Sequence, residues 1–141
     1  KIKNNSLEFN QNIFFDGQIY DAYSFVNDLL KLAKSEIVLI DNYIDDTVFT
    51  LFSKYPNINF TIYTSTISKQ LKLDFEKYSK QYKNISLKTF KSSHDRFLII
   101  DKKEIYHLGA SLKDLGKKWF AFSKMSLNSL NLDDILHKLE V

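Results

Sequence analysis

The 141-residue chain carries 20 Lys and Arg against 17 Asp and Glu, a formal net charge of +3, and 44% of its residues are hydrophobic. That length builds one domain around a single core, and so mild a charge permits an anionic partner without requiring one. The absence of cysteine excludes disulfides, thiolate chemistry and cysteine-held zinc, and agrees with a reducing, cytoplasmic setting.

In chain order, Lys1–Asn12 is polar and Asn-rich and is expected to be a lead-in from an upstream region, followed by one domain over 13–141. Ile13-Phe14-Phe15 predicts a short strand ended by the turn pair Asp16-Gly17. Asp21 is the expected cap of a helix whose apolar positions are Phe25, Val26, Leu29, Leu30 and Ala33. Glu36–Asp41 is a continuous apolar run between acids, the pattern of a strand buried on both faces. Asp45 or Asp46 caps a short helix through Leu51 and Phe52 that stops near Tyr55-Pro56.

Asn59–Thr64, rich in β-branched and aromatic residues, is the next strand. A longer amphipathic helix over Ser68–Tyr82 turns Leu71, Phe75 and Tyr78 inward. Ile85–Phe90, Arg96–Asp101 and Ile105–Gly109 read as three strands, the last two a hairpin over Lys102-Lys103. Ser111–Lys118 reads as a helical turn, Phe120–Lys124 as a last strand and Leu132–Leu139 as a closing helix. Strands and helices alternate first and strands cluster later. The expected architecture is α/β, a mixed β-sheet sandwiched between helical layers.

Chemistry concentrates at His94-Asp95-Arg96-Phe97-Leu98-Ile99-Ile100-Asp101. Side chains two apart on a strand share a face, so an imidazole and a permanent planar cation would lie together where a phosphate could be held. No Walker or dinucleotide glycine loop occurs, which argues against a nucleotide cofactor. No apolar run approaches the roughly 20 residues that span a bilayer, and no amphipathic membrane segment is visible, so no membrane partner is expected.

The run from His94 to Asp101, followed by Gly109-Ala110-Ser111-Leu112-Lys113-Asp114, resembles the signature of the phospholipase D superfamily: His-x-Lys-x4-Asp, then a Gly-Ser or Gly-Thr step after a short hairpin. The chain is also similar to C-terminal domains of phage anti-repressor-type DNA-binding proteins, down to Gly109–Lys118 and Trp119-Phe120-Ala121-Phe122. The superfamily likeness implies a two-step phosphodiester mechanism that needs no metal and no cofactor. One histidine attacks phosphorus, a second protonates the leaving oxygen, and the roles reverse for water. His94 would carry these roles, Arg96 and Ser111 would stabilise the phosphoryl oxygens, and Asp101 would order the site. With one motif per chain, the second His94 would come from a homodimer partner, as in the single-motif, nuclease-like branch. Arg96 stands where that family has lysine, and Ser111 comes one residue late.

Two functions follow. The first is a metal-independent phosphodiesterase acting as a nuclease; the alternative is a non-catalytic module that dimerises or binds an anion or nucleic acid. Lys113, Lys117, Lys118 and Asn42 are the candidate substrate contacts, though the three lysines read equally well as a solvated loop. Asp45-Asp46 and Asp133-Asp134 read as helix caps rather than metal carboxylates, and neither His107 nor His137 has ligand spacing with another histidine. Trp119-Phe120-Ala121-Phe122 reads as core or interface rather than a base-stacking platform.

Overall fold

The computed structural model describes residues 11–126 and 128–140. The polar lead-in expected over Lys1–Asn12 therefore lies, as far as Asn10, outside the described residues. Among these residues one seven-stranded sheet runs in the order β1-β7-β6-β5-β2-β3-β4. Its strands are β1 (Gln11–Phe14), β2 (Glu36–Ile40), β3 (Asn59–Thr64), β4 (Ile85–Thr89), β5 (Arg96–Ile100), β6 (Glu104–Leu108) and β7 (Phe120–Lys124). β2, β3 and β4 pair in parallel, and every other neighbour is antiparallel. The sheet is mixed, as expected, and β5 is its central strand.

Helices α1 (Ile19–Leu30), α2 (Asp46–Phe52) and α3 (Lys69–Gln81) cover one face, and α4 (Ser129–Leu139) covers the other. Strand parity assigns the layers. Ile37, Leu39, Leu98 and Ile100 join Val26, Leu29, Val48 and Phe52 in the larger core, while Val38, Ile40 and Ile99 meet Leu132 and Leu139 in the smaller. Rings brace the larger core, Phe52 stacking on Phe60 at 3.9 Å and Phe25 on Phe122 at 3.9 Å.

Several boundaries differ from the sequence reading. Strand β1 starts at Gln11 and leaves Phe15 outside. Helix α1 starts at Ile19 with Gln18 as its first flanking residue, so Asp21 does not cap it. Asp21 sits in the first turn and accepts from Gln18 Nε2 at 3.2 Å, where an acid suits the helix dipole. Asp45 does cap α2, accepting from Thr47 N at 3.0 Å. Asn128, not Asp133 or Asp134, caps α4, and Asp134 instead pairs with Lys138 one turn on, at 3.2 Å.

The hairpin between β5 and β6 turns at Asp101 and Lys102, with φ of 52° and 58°. Two left-handed central residues make the turn whose twist matches its flanking strands. Asp tolerates that region because its short side chain can bond locally. Here it bonds the neighbouring loop, accepting from Lys34 N at 2.9 Å, Ser35 N at 2.9 Å, Ser35 Oγ at 3.0 Å and Glu36 N at 3.0 Å.

Candidate phosphate-binding cleft

The candidate site lies at the start of β5, against the ends of β2 and β6. Ile40 faces Phe97 across the β2–β5 ladder, and the next register step sets Asp41 opposite Arg96. Both follow the parity of the larger core. Asp41 is completely buried. Its carboxylate accepts from Tyr43 N at 3.0 Å, Ser111 Oγ at 2.8 Å and Leu112 N at 3.0 Å. Burial pushes the Asp41 carboxyl above its ordinary value, against the downward pull of those three donors and of the Arg96 guanidinium. Asp41 was not among the sequence candidates. Its signal was parity: Ile37, Leu39 and Asp41 share one face, which places an acid at the end of a wholly buried strand.

Arg96 Nη2 donates to the Gly109 carbonyl at 2.9 Å. Its Nε–H is buried and has no hydrogen-bond partner among the described residues. Gly109 itself admits no side chain, because a Cβ there would stand 2.7 Å from the Ala121 carbonyl oxygen of β7. The chain then enters a short 3₁₀ turn, Leu112–Asp114, capped by Ser111, and leaves through Gly116 at φ 78°. A Cβ on Gly116 would lie 2.4 Å from the Ile19 Cα. This loop is thus pinned to β7 at one end and to the start of α1 at the other.

A cleft of about 440 Å³ opens over these residues. Arg96, Gly109, Ala110 and Ser111 form one part of its lining, Asp114, Lys117 and Lys118 a second, and the exposed rings of Tyr43 and Trp119 the rim. Asp114 pairs with Lys117 at 3.6 Å and with Lys113 at 3.1 Å, and no ion pair holds Lys118 among the described residues. Three cations and one half-buried acid make the lining positive.

The sequence candidates separate into those in the cleft and those outside it. Arg96, Ser111, Lys117 and Lys118 line the cleft; His94, Lys113, Asn42 and Asp101 do not. His94 sits in the bend before β5, exposed and without a hydrogen bond among the described residues. Asn42 ties loops together: its Nδ2 donates to the Ser93 carbonyl at 2.9 Å, and its Oδ1 accepts from Ser65 N at 3.0 Å. Asp101 stands at the far end of β5 from Arg96. Burial pushes its carboxyl up, but hydrogen bonds from Glu36, Lys34 and Ser35 prevail and hold it down at about 2. His107 projects toward the α4 face, 3.7 Å from Asp95 and edge-on to Phe97. Among the described residues no group of three His, Asp or Glu side chains converges as a metal site would require.

The fold defined by this sheet and its helical layers is phospholipase D-like. NucT from Helicobacter pylori superposes with a TM-score of 0.62 at 12% identity, covering 93% of each chain. TrmBL2, an archaeal chromatin protein with a novel mode of DNA binding, superposes with a TM-score of 0.59 at 16% identity over 92% of this chain and 49% of its own. Polyphosphate kinase from Porphyromonas gingivalis gives 0.57 at 12% identity over 93% of this chain and 22% of its own. No family model and no curated protein matches the sequence. No described helix is long and apolar enough to cross a membrane.

Proposed function

We propose that this domain binds phosphodiesters, the backbone of a nucleic acid first among them, in the Arg96 cleft. The observation that carries the reading is the guanidinium. One of its five N–H groups is bonded to Gly109, and it opens on a cleft shared with Lys117 and Lys118. A planar fork of donors beside two flexible ammonium groups suits phosphate oxygens on a chain. The DNA binding of the archaeal chromatin protein TrmBL2 accords with this reading, as does the resemblance to C-terminal domains of anti-repressor-type DNA-binding proteins.

Binding is favoured over turnover because the catalytic parts do not converge in one chain. Ser111 gives its hydroxyl hydrogen to Asp41, and His94 lies outside the cleft lining. A metal-independent phosphodiesterase or nuclease is the second reading. It is favoured by His94 itself, exposed, unbonded among the described residues and two positions from Arg96. That reading requires a homodimer in which two His94 side chains share a cleft. Fluorescence anisotropy with labelled oligonucleotides in EDTA tests both. The binding reading expects salt-dependent affinity with intact oligonucleotide, and affinity indifferent to salt and to Arg96 overturns it.

A further inference from the structure

The cleft carries two aromatic rings that phosphate binding leaves unused. Tyr43 is 60% exposed and Trp119 67% exposed, at the rim that also holds Arg96 and Lys118. Of the segment read as core or interface, Phe120 and Phe122 are buried in the larger core, whereas Trp119 is exposed. The indole is nevertheless held. Its Nε1–H donates to Asp16 Oδ1 at 3.1 Å, and its ring meets Phe15 edge-on, centroids 4.6 Å apart at 84°. A T-shaped contact occupies at most one face of the indole, and with the residue 67% exposed the other face stays available.

Cations that follow a backbone beside open aromatic faces form the combination that takes unpaired bases, since every base offers a face for stacking. A duplex keeps those faces inside its own stack and shows only base edges in its grooves. We propose that the cleft takes single-stranded nucleic acid, with Arg96 and Lys118 on the phosphates and Trp119 and Tyr43 stacked on unpaired bases. The inference rests on the phosphodiester reading and adds the substrate class.

Trp119 is the sole tryptophan of the chain, so its emission reports the site directly. Four probes of equal length serve: oligothymidylate, oligouridylate, a DNA duplex and an abasic oligodeoxynucleotide. The single strands are expected to quench Trp119 and to bind more tightly than the duplex or the abasic strand; the tighter of the two names DNA or RNA as the source. Trp119→Ala, read by anisotropy of the labelled strand, is expected to weaken base-bearing strands about five- to a hundredfold and leave the abasic strand unchanged, with Trp119→Phe retaining most of the affinity. Equal affinity for abasic and base-bearing strands overturns stacking while phosphodiester binding stands. Failure of every probe overturns the phosphodiester reading itself. A halved mass of Trp119→Ala in light scattering assigns the ring to an interface between copies and overturns the proposal.

Discussion

Ser111 Oγ donates to Asp41 Oδ2 at 2.8 Å, and the two residues are 3% and 0% exposed. The hydroxyl that the phospholipase D resemblance assigns to a phosphoryl group is thus engaged in holding a buried carboxylate. Ser111→Ala removes one of its three donors, so a loss of about 1–2 kcal/mol in stability is expected. That corresponds to a drop in Tm of roughly 3–6 °C for a domain of this size. Oligonucleotide affinity at a temperature where the variant is folded should stay within about twofold, because the loop backbone remains pinned at Gly109 and Gly116. A larger fall in affinity, with unchanged Tm, would show the hydroxyl touching ligand.

In the proposed reading Arg96 carries the ligand contact, and its substitutions separate charge from shape. Arg96→Ala should weaken oligonucleotide binding about ten- to a hundredfold, the effect of losing a charge-assisted hydrogen bond worth roughly 1.5–3 kcal/mol. The salt dependence should become shallower by about one phosphate contact. Arg96→Lys keeps the charge beside Asp41 but loses the fork and should fall between the two. Titrations at three salt concentrations provide the check; parallel salt slopes for wild type and Arg96→Ala would remove Arg96 from the site.

His94 decides between the two functional readings. In the binding reading, His94→Ala leaves affinity unchanged, since His94 is outside the cleft lining, and no fluorescent phosphodiester is cleaved in EDTA by either protein. Cleavage by the wild type that disappears in His94→Ala, with retained fold and a dimeric mass, would establish the phosphohistidine scheme instead. Arg96→Lys would then retain or raise the rate, because it restores the cation of that family.

Asp101 and Asp41 act oppositely on acid stability. Asp101 is held at about 2, below its ordinary 3.8. Its contribution is therefore present above 3.8 and is lost as pH falls from 3.8 toward 2. Asp41 is raised above 3.8. Its contribution is full below 3.8 and declines as pH rises through its folded value. Asp101→Ala should cost about 2–3 kcal/mol at neutral pH, from four lost hydrogen bonds and a residue less tolerant of φ 52°. Urea melts from pH 2 to 7 should show the Asp101→Ala difference shrinking toward pH 2. A difference independent of pH would refute the ionised cap.

The strands were the most legible part of the chain. Asn59–Thr64 and Phe120–Lys124 match their predicted bounds, the first marked by its aromatic and β-branched residues and the second by Phe120 and Phe122 on one face. Helix starts were harder to read. Asp21 and Asp133-Asp134 look like caps in sequence, but the chain enters those helices at Gln18 and Asn128, three or more residues earlier. At the site, Arg96 and the loop from Gly109 to Lys118 were visible from spacing. The role of Asn42 was not, since its partners Ser93 and Ser65 lie on other strand ends that only the sheet order brings together. The same holds for Asp41, which meets Ser111 seventy residues away.

The sheet order also governs how the domain is assembled. Among the described residues strand β1 pairs with β7 alone, and β7 lies between β1 and β6. During synthesis, Gln11–Phe14 therefore waits for Phe120–Lys124, roughly a hundred residues later, before it can join the sheet. Until then the edge of β6 is open, and Gly109 lacks the Ala121 strand against which it closes. So late a long-range pairing slows folding. The loop from Gly109 to Lys118 is thus among the last parts to take shape, and a chain cut short before Phe120 would have five strands of the sheet but no finished cleft.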